Sequence, residues 1–150
     1  MKDQHILTLA TGLIGAAAAG PDPAKMPLPP MGFNNWSRFA TNINQSIFTD
    51  AAAAMNANGL RALGYNRLNL DDAWSTLKRA ANGSMVWDEA KFPNGLPWLA
   101  QHIKDAGFIP GIYSDAGSLS CEKYPGTYGY EELDLKTFSD WGYEYLKLDG

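Results

Sequence analysis

The chain holds one cysteine and two histidines in 150 residues. One cysteine cannot build a disulfide framework within the chain, and a metal centre made of His and Cys has too few ligands. Cations are sparse too: 12 Lys and Arg against 16 Asp and Glu leave a net charge of −4. No cationic cluster exists to neutralise phosphates, so a nucleic-acid partner is not expected. No apolar run reaches the roughly 20 residues of a transmembrane helix, so no membrane partner is expected. What the sequence does have is an apolar fraction of 45% and an aromatic fraction of 12%, with five Trp and seven Tyr. Such a chain can bury a core, which excludes a disordered polypeptide.

The first 20 residues differ from the rest. Lys2 gives a thin positive start, Ile6 to Ala19 is apolar or small, and Ala17-Ala18-Ala19 before Gly20 fits a signal-peptidase site. Residues 1–20 are therefore expected to be a signal peptide and the product to be secreted; an Ala/Gly-rich leader without that role is the alternative. Residues 21–30 carry Pro21, Pro23, Pro27, Pro29 and Pro30 and read as an extended lead-in. In an oxidising compartment the lone Cys121 lacks a partner within the chain.

From Met31 onward one pattern recurs: helix, glycine, aromatic, short strand, aspartate. The first helix is expected over Phe48–Leu63, capped by Thr49 or Asp50 and stopped by Gly64; Tyr65–Leu70 is its strand, leading to Asp71-Asp72. The second begins near Pro97, with Leu96, Leu99, Ile103 and Ala106 on one face. Gly107 stops it, and Phe108–Ser114 leads to Asp115. The third spans Glu131–Trp141, Gly142 stops it, and Tyr143–Leu148 leads to Asp149. Gly64, Gly107 and Gly142 recur at the spacing of one βα unit.

Strands alternating with helices imply a parallel α/β sheet with right-handed crossovers. An open doubly wound sheet and a (β/α)8 barrel both place chemistry at the carboxyl ends of the strands, here Asp71, Asp72, Asp115 and Asp149. The first candidate strand, Met31–Trp36, opens into Ser37-Arg38-Phe39 and not into a Gly-rich phosphate loop, which favours the barrel. A complete barrel needs about 250 residues, so 31–150 is expected to be its first half, about four βα units. Such a half has open edges at its first and fourth strands, and the helix faces at Leu99, Ile103 and Phe138 are expected to lose part of their cover. Self-association is the expected consequence.

Strand-end carboxylates flanked by aromatics suit a sugar: amides and carboxylates bind hydroxyls, and Trp covers apolar ring faces. Hydrolysis needs one carboxylate beside an oxocarbenium-like centre and a second carboxyl to protonate the leaving oxygen. Simpler readings stand beside this one. Asp71 can be a cap or a solvated charge, and Trp36 can be core. Asp71 and Asp72 can hold Mg2+ or Ca2+, but no dense oxygen-ligand loop accompanies them, so no metal is expected. Lys147 shares a strand face with Asp149, as a plain ion pair or as a cation that also binds a hydroxyl. Asn44-Gln45-Ser46 and Asn82-Gly83-Ser84 are glycosylation sequons in expected loops, whereas Asn35-Trp36-Ser37 is expected bare because it lies in the expected pocket.

Six motifs carry a resemblance. Pro29–Trp36, Leu70–Trp74, Lys91–Gly95, Gly111–Gly117, Cys121–Gly126 and Tyr145–Gly150 are similar, in this order, to segments of glycoside hydrolase family 27, above all its fungal secreted α-galactosidases. The resemblance implies a retaining hydrolase of α-galactosides without a cofactor. It implies Asp149 as nucleophile, Asp71 and Asp72 as acceptors from the galactose 4- and 6-hydroxyls, Lys147 as a hydroxyl contact, and Trp36 and Tyr113 as pocket aromatics. Cys121, whose usual partner is a cysteine just after Asp149-Gly150, is counted with the substrate-binding residues. Thr41 and Ala73 stand where the family usually has a bonded cysteine pair. The family's acid/base, its galactose-selecting loops and its C-terminal β-domain belong to later segments, so the 150-residue chain is expected to be inactive alone. The alternatives are a remnant that binds galactosides weakly, and a sister activity, α-N-acetylgalactosaminidase or β-L-arabinopyranosidase.

Overall fold

The computed structural model describes residues 29–150; the expected signal peptide, and the lead-in as far as residue 28, lie outside the described residues. Strand β1 (Gly32–Asn34) runs into a short helix α1 (Trp36–Phe39), followed by α2 (Gln45–Ala57) and β2 (Arg67–Leu70). Then come α3 (Leu96–Asp105), β3 (Ile109–Asp115), α4 (Glu131–Asp140) and β4 (Tyr145–Asp149). The strands form one parallel sheet in the order β1-β2-β3-β4. The described part is thus three helical crossovers and a fourth strand, slightly less than four βα units.

The cap of α2 departs from expectation. Asn44 is the N-cap: its Oδ1 accepts from the N–H groups of Ser46 at 3.0 Å and Ile47 at 3.3 Å. Thr49 and Asp50 lie inside the helix. The helix also ends at Ala57 and not Leu63, because Gly59 turns the chain at φ +73°. A separate 3-10 turn, Arg61–Leu63, follows, and Gly64 closes it in the left-handed region at φ +96°. In α3, Pro97 occupies the first turn as expected, where its missing N–H costs nothing.

Period-two alternation divides the sheet into two faces. Leu68 and Leu70 of β2 and Ile112 of β3 pack against Phe48, Ala52, Met55, Leu99, Ile103 and Phe138 of the helices. Each large apolar side chain so buried contributes about 1.5–3 kcal/mol. The opposite face carries Asn34, Arg67, Asn69, Gly111, Tyr113, Tyr145 and Lys147. Gly111 is required there: a Cβ would overlap Asn69 Oδ1 and stand 2.8 Å from the Tyr145 ring.

The helix faces keep more cover than the half-barrel reading anticipates: Leu99, Ile103 and Phe138 are only 0%, 0% and 4% exposed. Local packing of α2, α3 and α4 seals them. The open surface lies instead at the sheet edges. Leu148 of β4 is 54% exposed. A groove of about 400 Å3 opens between β4 and α4, and one of about 360 Å3 beside Phe33 and Phe39 at the β1 edge. Among the described residues no helix is long and apolar enough to cross a membrane.

Candidate active site

All four strands deliver polar side chains at their carboxyl ends, and Asp71 joins three of them. Its Oδ2 accepts from Asn34 Nδ2 at the end of β1 at 2.7 Å and from Lys147 Nζ on β4 at 2.8 Å. Its Oδ1 accepts the Asp72 N–H at 2.9 Å, and its own N–H donates to Asn35 Oδ1 at 2.8 Å. At 1% exposure Asp71 is neither a solvated charge nor a helix cap. Two hydrogen-bond donors, one an ammonium, occupy the position on Oδ2 that a metal would need. Among the described residues no group of three His, Cys, Asp or Glu converges as a metal centre.

Asp72 is 3% exposed and differently held. Its Oδ1 accepts the Ala73 N–H at 2.7 Å, and its Oδ2 takes a longer bond of 3.4 Å from the Glu122 N–H. Two carboxylate oxygens offer about four acceptor positions. Asp71 has three occupied and Asp72 two, so Asp72 has the greater capacity for incoming hydroxyls.

Lys147 is shared. Its Nζ lies 2.8 Å from Asp71 and 3.7 Å from Asp149 Oδ2, so the buried acid, and not the neighbour two residues along the strand, is the closer partner. The ammonium also stands 5.0 Å from the centroid of the Tyr113 ring. The Tyr113 hydroxyl donates to Asp115 Oδ2 at 3.5 Å. Burial first, and then the charges of Asp72, Asp115, Asp149 and Cys121, push its phenol well above the usual tyrosine range. Tyr113 is therefore a neutral donor set among acids. Cys121 is exposed on the loop after β3, next to the residue whose N–H reaches Asp72.

Asp149 ends β4 with its side chain 47% exposed and accepts one bond, from the Gly150 N–H at 3.2 Å. Trp36 begins α1, half-buried and outside the apolar core, and its N–H donates to Asn34 Oδ1 at 2.8 Å. The core reading of Trp36 therefore fails. Asp115, 6% exposed, accepts the Gly117 N–H at 2.7 Å and shapes its own loop. A groove of about 540 Å3 along Gly129–Lys136 contains none of these residues.

The profile of the melibiase family described as alpha galactosidase A matches residues 28–150. The chain belongs to this family. It is 56% identical over 144 residues to a probable alpha-galactosidase A of Aspergillus terreus, covering 96% of this chain and 27% of that protein. The α-galactosidase of Cyamopsis tetragonoloba is 48% identical over 122 residues, 81% of this chain and 30% of its own length. The solved α-galactosidase of Saccharomyces cerevisiae superposes with a TM-score of 0.79 at 40% identity, covering 81% of this chain and 27% of that one. The chain thus spans roughly a quarter of the relatives it matches, and its sheet is part of this family's (β/α)8 barrel.

Within this alpha-galactosidase A fold, sequence reasoning missed several residues that shape the site. Asn34 and Asn35 were legible only as part of a motif, yet both bond Asp71. Asn35 is fully buried, so its sequon is sealed beneath Asp71 and does not open into a pocket. Asn44 and Asn82 are exposed, their Oδ1 atoms engaged by Ser46 and Ser84 N–H groups. Arg79 clamps the fully buried Asp134 through two bonds of 2.7 and 2.6 Å, and Thr127 Oγ1 adds a third of 2.6 Å. Arg79 also donates to the carbonyls of Gly83 and Gly126, tying the loop after β2 to the loop after β3. A buried charge so fully bonded is a structural device.

Proposed function

We propose that this segment forms the galactose-recognising and nucleophilic part of a secreted, retaining α-galactosidase that releases terminal α-linked galactose. One observation supports it above the others: Asp71, Asp72, Tyr113, Lys147 and Asp149 all sit at the carboxyl ends of parallel strands, linked through Lys147 at 2.8 Å from Asp71 and 3.7 Å from Asp149. The relatives' names agree with the α-galactosidase part of this reading.

In this account Asp72, with free acceptor positions, takes galactose hydroxyls, and Asp71 does so with its one remaining position while holding Lys147. Lys147 donates to a hydroxyl next to the reacting carbon. Tyr113, kept neutral, and Trp36 bound the sugar. Asp149 attacks the anomeric carbon and forms a glycosyl ester as the glycosidic bond breaks. A second carboxyl about 5 Å away protonates the leaving oxygen and then removes a proton from the attacking water. No cofactor enters these steps. That second carboxyl belongs, by the resemblance, to a later strand of the barrel. The 150 residues by themselves are then a weak galactoside binder. Secretion and glycans on Asn44 and Asn82 are part of the same proposal, as is association of the isolated segment through its β1 and β4 edges.

Turnover of an aryl α-galactoside tests the division of labour. The 150-residue chain is expected to give none, while a polypeptide carrying it with the remaining strands turns over and loses activity on Asp149→Ala. Turnover by the 150-residue chain that Asp149→Ala abolishes would place both carboxyls within it and refute the proposal.

A further inference from the structure

We infer that Lys91 is a positioning residue for Asp72: its ammonium holds the turn that aims the Asp72 carboxylate at the sugar. The inference rests on the hydroxyl-binding reading of Asp72 given above. Lys91 opens the Lys91–Gly95 motif, for which that function has no use.

The residue after Asp72 is the unusual one. Ala73 is 1% exposed and has φ +67°, in the left-handed region that a residue with a Cβ rarely adopts. In that conformation its N–H folds back onto Asp72 Oδ1 at 2.7 Å, which fixes the carboxylate against its own backbone. The same twist turns the Ala73 carbonyl into the interior, where Lys91 Nζ donates to it at 2.7 Å. A carbonyl buried there without a donor would be destabilising, so the ammonium offsets the strain of the turn.

Lys91 is itself firmly based. Its N–H donates to the Asp88 carbonyl at 3.1 Å, and its carbonyl accepts from Gln45 N–H, at the first turn of α2, at 3.0 Å. Asp88 in turn donates to the Trp74 carbonyl at 2.9 Å, and Ser75 bridges Trp87 in an antiparallel pair. The two successive peptides that follow Ala73 are therefore held, through the Ala73 and Trp74 carbonyls, from one segment. The Lys91 ammonium also lies 5.6 Å from the Tyr124 ring centroid, on the loop whose Glu122 N–H reaches the other Asp72 oxygen. One side chain thus bonds the backbone on one side of Asp72 and lies near an aromatic ring on the loop that bonds the other side.

Two readouts on this chain test the idea, with Lys91→Met keeping the apolar stem and Lys91→Arg keeping a charged donor. The first is amide hydrogen exchange, which does not depend on any activity. Lys91→Met should speed exchange of the Ala73 N–H by about tenfold, the effect expected for one charged hydrogen bond, leave the amides of β3 unchanged, and be reversed in Lys91→Arg. The second is titration with methyl α-galactoside and methyl α-glucoside, where Lys91→Met should lower the galactose preference and Lys91→Arg should keep it. Unchanged Ala73 exchange and unchanged preference in Lys91→Met would overturn the inference. So would faster exchange throughout the chain in both variants, since Lys91 would then support the fold and not the turn. If the unsubstituted chain binds neither sugar, the functional reading fails, and the exchange result still decides whether Lys91 holds Asp72.

Discussion

Asp71 at the end of β2 is 1% exposed and accepts three hydrogen bonds; the Asp149 side chain at the end of β4 is 47% exposed and accepts one. The two acids stand at the ends of strands in the same sheet and share Lys147. Their difference follows from position. β2 lies between β1 and β3, so donors reach Asp71 from both sides, while among the described residues β4 pairs with β3 alone. In the proposed mechanism the recognising acids are preorganised within the segment itself, and Asp149, near Lys147, takes its remaining partners from the later strands of the barrel.

Four substitutions or conditions break or sharpen this contrast, in falling order of effect. In a polypeptide that carries this segment and the rest of the barrel, Asp149→Asn should lower kcat by roughly four orders of magnitude or more, with the midpoint of thermal unfolding unmoved. A joint loss of activity and stability would mean that Asp149 is a structural acid like Asp71.

Next, Asp71→Ala should lower unfolding stability by about 2–3 kcal/mol in denaturant titration, below the full cost of breaking a buried pair because Lys147 is 35% exposed and can reach water. Asp149→Ala should stay within about 0.5 kcal/mol of the unsubstituted chain. Equal costs at the two positions would erase the contrast. Asp72→Ala should act on selectivity: the ratio of kcat/KM for α-galactosides over α-glucosides should fall at least about tenfold, since the axial 4-hydroxyl loses its acceptor. Equal losses on both sugars would remove Asp72 from recognition.

The smallest effect is a pH limb. Burial raises the phenol of Tyr143, and burial with the neighbouring acids raises that of Tyr113, above their unfolded value of about 10. A raised folded pKa means that the stabilisation is fully present below pH ~10 and fades above it, because the unfolded chain ionises first. Tyr113→Phe or Tyr143→Phe should flatten the loss of stability between about pH 10 and 12. At neutral pH, Tyr143→Phe should be harmless, since the Tyr143 hydroxyl is buried with no partner among the described residues. An unchanged alkaline limb in both variants would show that other groups set it.

Much of the fold was legible because it is local. Pro97 at a helix start, Leu96, Leu99 and Ile103 on one face, and the alternation of Lys147 and Asp149 are all written within a few residues. The cap of α2 was misread because Asn44 stands ahead of an apolar run that Thr49 and Asp50 interrupt, and only the Oδ1 bonds to Ser46 and Ile47 decide between them. The site was legible as strand-end acids but not as a network. Lys147 was read with Asp149, two positions away, yet its nearer partner Asp71 is 76 residues distant. The Arg79–Asp134 clamp spans 55 residues and left no periodic signal. The hold of Lys91 on Ala73 depends on a backbone conformation that no side-chain pattern encodes.

The central claim is that Asp149 makes the bond that Asp71 and Asp72 prepare. A galactoside with a fast leaving group and a 2-fluoro substituent slows hydrolysis of the glycosyl ester, so the adduct on the segment-bearing polypeptide can be located by peptide mass spectrometry. The account predicts a single galactosyl adduct on Asp149, within Tyr145–Gly150, that disappears in Asp149→Asn. An adduct on Asp71, Asp72 or Asp115, or turnover with no covalent adduct at all, would contradict it.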